Sequence, residues 1–114
     1  MKINIKATQV EVTPTLNVYV EKKLSPLAKF VKQFDETGEA EIWLEITRST
    51  HHKKGDVFEA SADFRLPKKI LRAEAVSPDA HSAIDVLKNK LSVEIKKYRT
   101  QFLEIQKKRL PEKG

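Results

Sequence analysis

A chain of 114 residues, 39% hydrophobic and 33% charged, is long enough for one domain with a modest core and too apolar to stay disordered. No apolar run approaches the roughly 20 residues a membrane span needs, no secretory h-region opens the chain, and the lack of cysteine excludes disulfides and thiolate metal sites, which favours a cytoplasmic protein. The net charge of +6 is uneven, with thirteen Lys and Arg against eleven Asp and Glu in residues 1–76 and nine against five in residues 77–114, so the excess gathers in the last third.

In chain order, "MKINIKA" alternates Ile3 and Ile5 with Lys2, Asn4 and Lys6, the pattern of a strand with one buried face. "VTPTLNVYVEKKLSPLAKFVKQF" reads as a helix that Thr13 caps and Pro14 opens. Its stripe is Leu16, Val20, Leu24, Leu27 and Val31. Pro26 removes a backbone donor inside that stripe, so a kink or restart is expected near Leu24 and Ser25. "AEIWLEITR" and "VFEASADFRL" alternate again, burying Ile42, Leu44 and Ile46 on one strand and Phe58, Ala60, Ala62, Phe64 and Leu66 on the next. "STHHKKGD" connects them, and "PKK" turns into a fourth strand, "ILRAEAV". Short connections make these strands antiparallel hairpins. The first helix, by contrast, is a crossover that permits strands one and two to pair in parallel.

Ser77 and Pro78 are expected to start the last helix, with Asp79 in its first turn. Its stripe is Ile84, Leu87, Leu91, Ile95, Tyr98, Phe102 and Ile105. The order β-α-β-β-β-α makes an α+β two-layer sandwich, two helices on one face of a four-stranded sheet.

At about 100° per residue from Ile84, Lys88, Lys96 and Arg99 share one flank of the last helix, and Lys90, Lys97 and Lys108 the other. On the first helix Lys22 and Lys29 share a flank, and Lys23 borders the core stripe. Helices packed side by side would join these flanks into a basic surface suited to phosphates. A solvated, lysine-rich helix face fits the spacing equally well. No aromatic residue interleaves the cations, which points to backbone and shape reading of RNA rather than base stacking.

Catalytic chemistry finds little support. "HHKK" (residues 51–54) raises a metal or ribonuclease reading, but adjacent histidines on a hairpin point apart and only Asp56 stands near as a further ligand. His81 fits packing or capping. Glu41, Glu45, Glu59 and Asp63 alternate with apolar residues as the wet face of the sheet. Three scattered glycines build no phosphate loop. The residues read as a non-enzyme without cofactor, metal or small-molecule substrate.

The segment "ILRAEAVSPDAHSAIDVLKNKL…IKKYR", residues 70–99, resembles the ribosome hibernation-promoting factor and ribosome-associated translation inhibitor family, also known as alternative sigma-factor modulation proteins. Leu71-Arg72-Ala73-Glu74 matches its strand end, and residues 79–85 match its helix start. Lys90-Leu91 and Lys97-Tyr98-Arg99 match its basic segment. "INIKATQVEVTPTLNVYVEKKL" is similar to the family opening, so the likeness covers residues 2–99. It implies the same β-α-β-β-β-α fold, similar to double-stranded-RNA-binding domains. The implied function is to occupy the mRNA and tRNA channel of the small ribosomal subunit, inhibiting translation and protecting idle ribosomes in stress or stationary phase. Lys23, Lys29, Lys90, Lys97 and Arg99 carry over as positions contacting ribosomal RNA. Charge and geometry add Lys22, Lys88, Lys96 and Arg72.

Four departures stand out. Ser92-Val93-Glu94 replaces a common Glu-Arg-Gln, Pro26 replaces a residue that is often basic, and His81 replaces an aromatic. Finally, one ribosome-binding domain (residues 1–108) and a short basic tail (109–114) are expected, without the long form's C-terminal dimerisation domain, and the chain is expected to be monomeric. The competing reading is a basic module that modulates a transcription factor.

Overall fold

The central strands follow from the alternating apolar residues at their cores. The computed structural model describes residues 1–35, 37–52 and 55–109. They form β1 (Lys2–Thr8), α1 (Pro14–Leu24), 3₁₀ segments at Ser25–Phe30 and Lys32–Phe34, β2 (Glu41–His52), β3 (Gly55–Leu66), β4 (Lys69–Ser77) and α2 (Ala80–Arg109). The sheet order is β1-β2-β3-β4. β1 lies parallel to β2, as the crossover permits, and the other pairs are antiparallel, as the short connections imply.

Register places Ile42 opposite Phe64, which in turn faces Leu71. All three are buried beneath the helices together with Leu44, Ile46, Ala60, Ala62 and Leu66. From the helical side Leu16, Val20 and Leu24 of α1, Leu27 and Val31 beyond it, and Ile84, Leu87, Leu91 and Ile95 of α2 complete the core. Ile3 and Ile5 are only partly buried, because β1 is an edge strand.

Four expectations need correction, the last of them beyond Pro26. The connector between β2 and β3 is shorter than the sequence implied, since β2 runs to His52 and β3 opens at Gly55. Gly55 has φ of 101°, a conformation that a side chain rarely tolerates. Ser77 is not the cap of α2. It ends β4 and is nearly buried. Asp79 caps instead, its Oδ1 accepting from the backbone N–H of His81 at 2.9 Å and Ser82 at 3.3 Å. Ile105, expected in the stripe, is half exposed, because the buried stripe ends at Tyr98 and Phe102, which meet Phe34 with ring centroids 4.8 Å away in each case.

Pro26 acts as its chemistry demands. The α-helix ends at Leu24, Ser25 donates its N–H to the Glu21 carbonyl, and a 3₁₀ segment carries the chain on. The expected α-helical placement of Lys29 beside Lys22 therefore does not hold beyond Leu24.

Candidate nucleic-acid interface

The mutual position of the two helices is fixed at the start of α2. The Tyr19 phenol donates to the Asp85 carboxylate, and Lys23 Nζ lies 3.5 Å from the same carboxylate. The His81 ring meets Tyr19 edge-on at 4.5 Å, which bears out its packing role. Hydrogen bonds from Ser82, through both side chain and backbone, hold the Asp79 carboxyl below its ordinary range. The bond to Asp85 favours the protonated phenol, and with partial desolvation it pushes the Tyr19 pKa up to about 12 from 10.0. A raised pKa means that this contribution to stability is complete below pH 10 and lost as pH rises through about 12. In a tyrosinate absorbance titration Tyr19 of the folded chain should ionise late, and Tyr19→Phe should remove that step. A late step that survives in the variant would rule out the Tyr19–Asp85 bond as its cause.

Two groups of cations flank α2. Lys88, Lys96 and Arg99 line, with Phe30 of the 3₁₀ segment, a groove of about 450 Å³ beside α2. Among the described residues no acid pairs with these three, nor with Lys22 or Lys29. Lys90 and Lys97 occupy the other flank, as their angles predict. Lys90 Nζ donates to the Glu74 carbonyl at 2.7 Å, and Lys97 Nζ lies 3.5 Å from Glu94. Both contacts are solvent-exposed, so they hold the side chains only weakly.

Lys23 is the most engaged cation of α1, shared between Asp85 and the Tyr19 ring. Arg72 stands apart. It lies on the open face of β4 between Asp63 (3.7 Å) and Glu74 (3.6 Å), although it borders the same shallow edge hollow as Lys90. The side chains of His51, His52 and Lys108, and all of Lys53 and Lys54, lie outside the described residues.

The helical side and the open sheet side differ in charge. Register aligns Lys6, Glu45, Ser61 and Glu74 in one row across the open face, and Thr8, Thr47, Glu59 and Val76 in the next. Acids and bases mix there, and Arg65 lies over the half-exposed Trp43 ring at 4.7 Å. The wet-face reading of Glu41, Glu45, Glu59 and Asp63 holds. Excess positive charge therefore belongs to the helical side, the disposition that a polyanion requires.

Sequence reasoning missed Phe30. It is 47% exposed, Lys29 Nζ lies 5.1 Å from its ring centroid, and it forms one wall of the groove. An aromatic ring does therefore interleave the cations. The signal was Pro26, after which helical angles cannot place a residue.

The sequence profile of the family described as "Sigma 54 modulation protein / S30EA ribosomal protein" matches residues 3–102. The chain belongs to this family. It is 34% identical over 104 residues to the ribosome hibernation promotion factor of Lactococcus lactis subsp. cremoris, covering 90% of this chain and 51% of that protein. It is 30% identical over 103 residues to the factor of the same name from Bacillus subtilis, covering 89% and 50%. The chain thus spans about half the length of these curated relatives. Among solved structures it is similar to a ribosomal subunit interface protein from Coxiella burnetii, with a TM-score of 0.67, 24% identity and coverage of 88% and 99%. That likeness concerns the fold. No described helix is long and apolar enough to cross a membrane.

Proposed function

We infer that this chain is a non-catalytic ribosome-binding protein. It seats its helical side on ribosomal RNA of the small subunit, occupies the channel used by mRNA and tRNA, inhibits translation and stabilises idle ribosomes in the cytoplasm. The observation that carries this reading is the separation of charge between the two sides of the sandwich, in a chain whose relatives are named ribosome hibernation promotion factors. Binding rests on phosphate neutralisation by Lys22, Lys23, Lys29, Lys88, Lys90, Lys96, Lys97 and Arg99, with Arg72 at the β4 margin.

The test is co-sedimentation with vacant ribosomes, with and without excess mRNA and initiator tRNA. Co-migration relieved by those ligands is expected, and failure to co-migrate at low salt would sink the reading. If about six cations reach phosphates, log affinity falls against log salt with a slope of about −4 to −5. A slope shallower than about −2 would contradict broad backbone contact.

The family description also names sigma 54 modulation, which supports a second reading in which the same face holds an acidic protein. A partner captured from lysate that persists after ribonuclease treatment would favour that reading. One that vanishes would favour RNA.

A further inference from the structure

The groove beside α2 combines features that phosphate binding alone does not call for. Phe30 presents an exposed aromatic ring at one wall. Asn89 and Ser92 line the groove with Lys88, Lys96 and Arg99. Ser92 Oγ donates its proton to the Lys88 carbonyl at 3.0 Å, which leaves its lone pairs to accept. The exposed Asn89 amide offers both a donor and an acceptor. An aromatic surface, a pair of neutral hydrogen-bonding groups and a rim of cations without acid partners among the described residues together match the face of a base, its edge and the flanking phosphates.

Resting on the ribosomal RNA reading above, we propose that this groove captures an unpaired nucleotide, whose base stacks on Phe30 while Lys88, Lys96 and Arg99 hold the flanking phosphates. Asn89 and Ser92 meet the base edge. Lys29, now over the Phe30 ring, has a flexible stem and swings to a phosphate as the base slides on. The RNA at this point is single-stranded, because a paired base has no free face to offer. Val93 also lines the groove, so the Ser92-Val93 pair that departs from the family's common Glu-Arg keeps carboxylate and guanidinium out of it.

The experiment uses a short single-stranded RNA carrying one 2-aminopurine, mixed with the full chain. Stacking on Phe30 should quench its fluorescence. Base–aromatic stacking is of a size that Phe30→Ala should weaken binding by roughly 5- to 150-fold. The salt slope should stay as in the unaltered chain, since every phosphate-binding cation remains. Phe30→Tyr should retain both affinity and quenching. Phe30→Leu keeps apolar bulk without the π face, so it should lose affinity at an unchanged melting temperature, which separates stacking from folding.

Equal binding by folded Phe30→Leu, or equal competition by a duplex of the same sequence, would overturn the inference. If that variant also still co-sedimented with ribosomes, the ribosomal reading would stand without the stacking site. If the unaltered chain bound neither the RNA nor ribosomes, both would fall.

Discussion

A chain carrying Lys90→Glu and Lys97→Glu should bind the vacant small subunit at least about 30-fold more weakly at about 0.15 M salt, yet fold as before. Each cation that neutralises a phosphate contributes about 1 kcal/mol at that ionic strength through counterion release, and removing two such cations gives the factor. Reversal adds repulsion between the new carboxylates and the phosphates, so about 30-fold is the floor. Stability should change little because both side chains are exposed. What the fold gives up is one surface hydrogen bond to Glu74 and one exposed pair with Glu94, and exposed pairs of this kind contribute about 0–1 kcal/mol.

The salt slope offers an independent check. It should become shallower by about 2 in the double variant, about one unit for each phosphate that is no longer neutralised. Lys90→Gln with Lys97→Gln isolates counterion release from repulsion and should sit close to the floor of about 30-fold. Undiminished binding by the folded charge-reversed chain would remove this flank from the interface. The groove flank of Lys88, Lys96 and Arg99, with the cations before β2, would then carry the binding.

How far the sequence already disclosed this arrangement depends on the physics of each element. Strands with a strict period of two, such as the run from Ile42 to Ile46, announced both their existence and their buried face, since one face had to meet a core. The last helix was equally legible, and helical angles alone sorted Lys88, Lys96 and Arg99 from Lys90 and Lys97. Legibility failed where periodicity was interrupted. Beyond Pro26 the helical angle stops meaning anything, so Phe30 went unassigned and Lys29 was placed on a flank that does not exist. Ser77 and Asp79 are both good capping residues two positions apart, and a pattern of types cannot choose between them. β4 decides the matter by extending through Ser77 and nearly burying it. Pairing was also invisible: no spacing rule announces that Arg72 is held between Asp63 and Glu74, or that Tyr19 reaches Asp85 across 66 positions of chain.

One position further along α2 from Lys90, the opposite outcome is expected. Leu91→Ala should destabilise the fold by about 2–5 kcal/mol while leaving the affinity of each folded molecule unchanged. Leu91 is fully buried, in the layer where α2 meets the sheet. Alanine is at least as good a helix former as leucine, so the loss arises from the vacated volume and not from helix propensity. Against a total of about 5–15 kcal/mol for a typical domain, a loss of that size is a large fraction. It should lower the melting temperature on the order of 10–25 °C. Urea titration followed by circular dichroism gives the first quantity. RNA affinity measured well below the new melting temperature gives the second. An unchanged urea midpoint would show that α2 is not held by this stripe. An affinity that falls while the fold stays intact would mean that the cations of α2 depend on close packing beneath them, and that the division between a core stripe that folds and a basic face that binds does not hold for this helix.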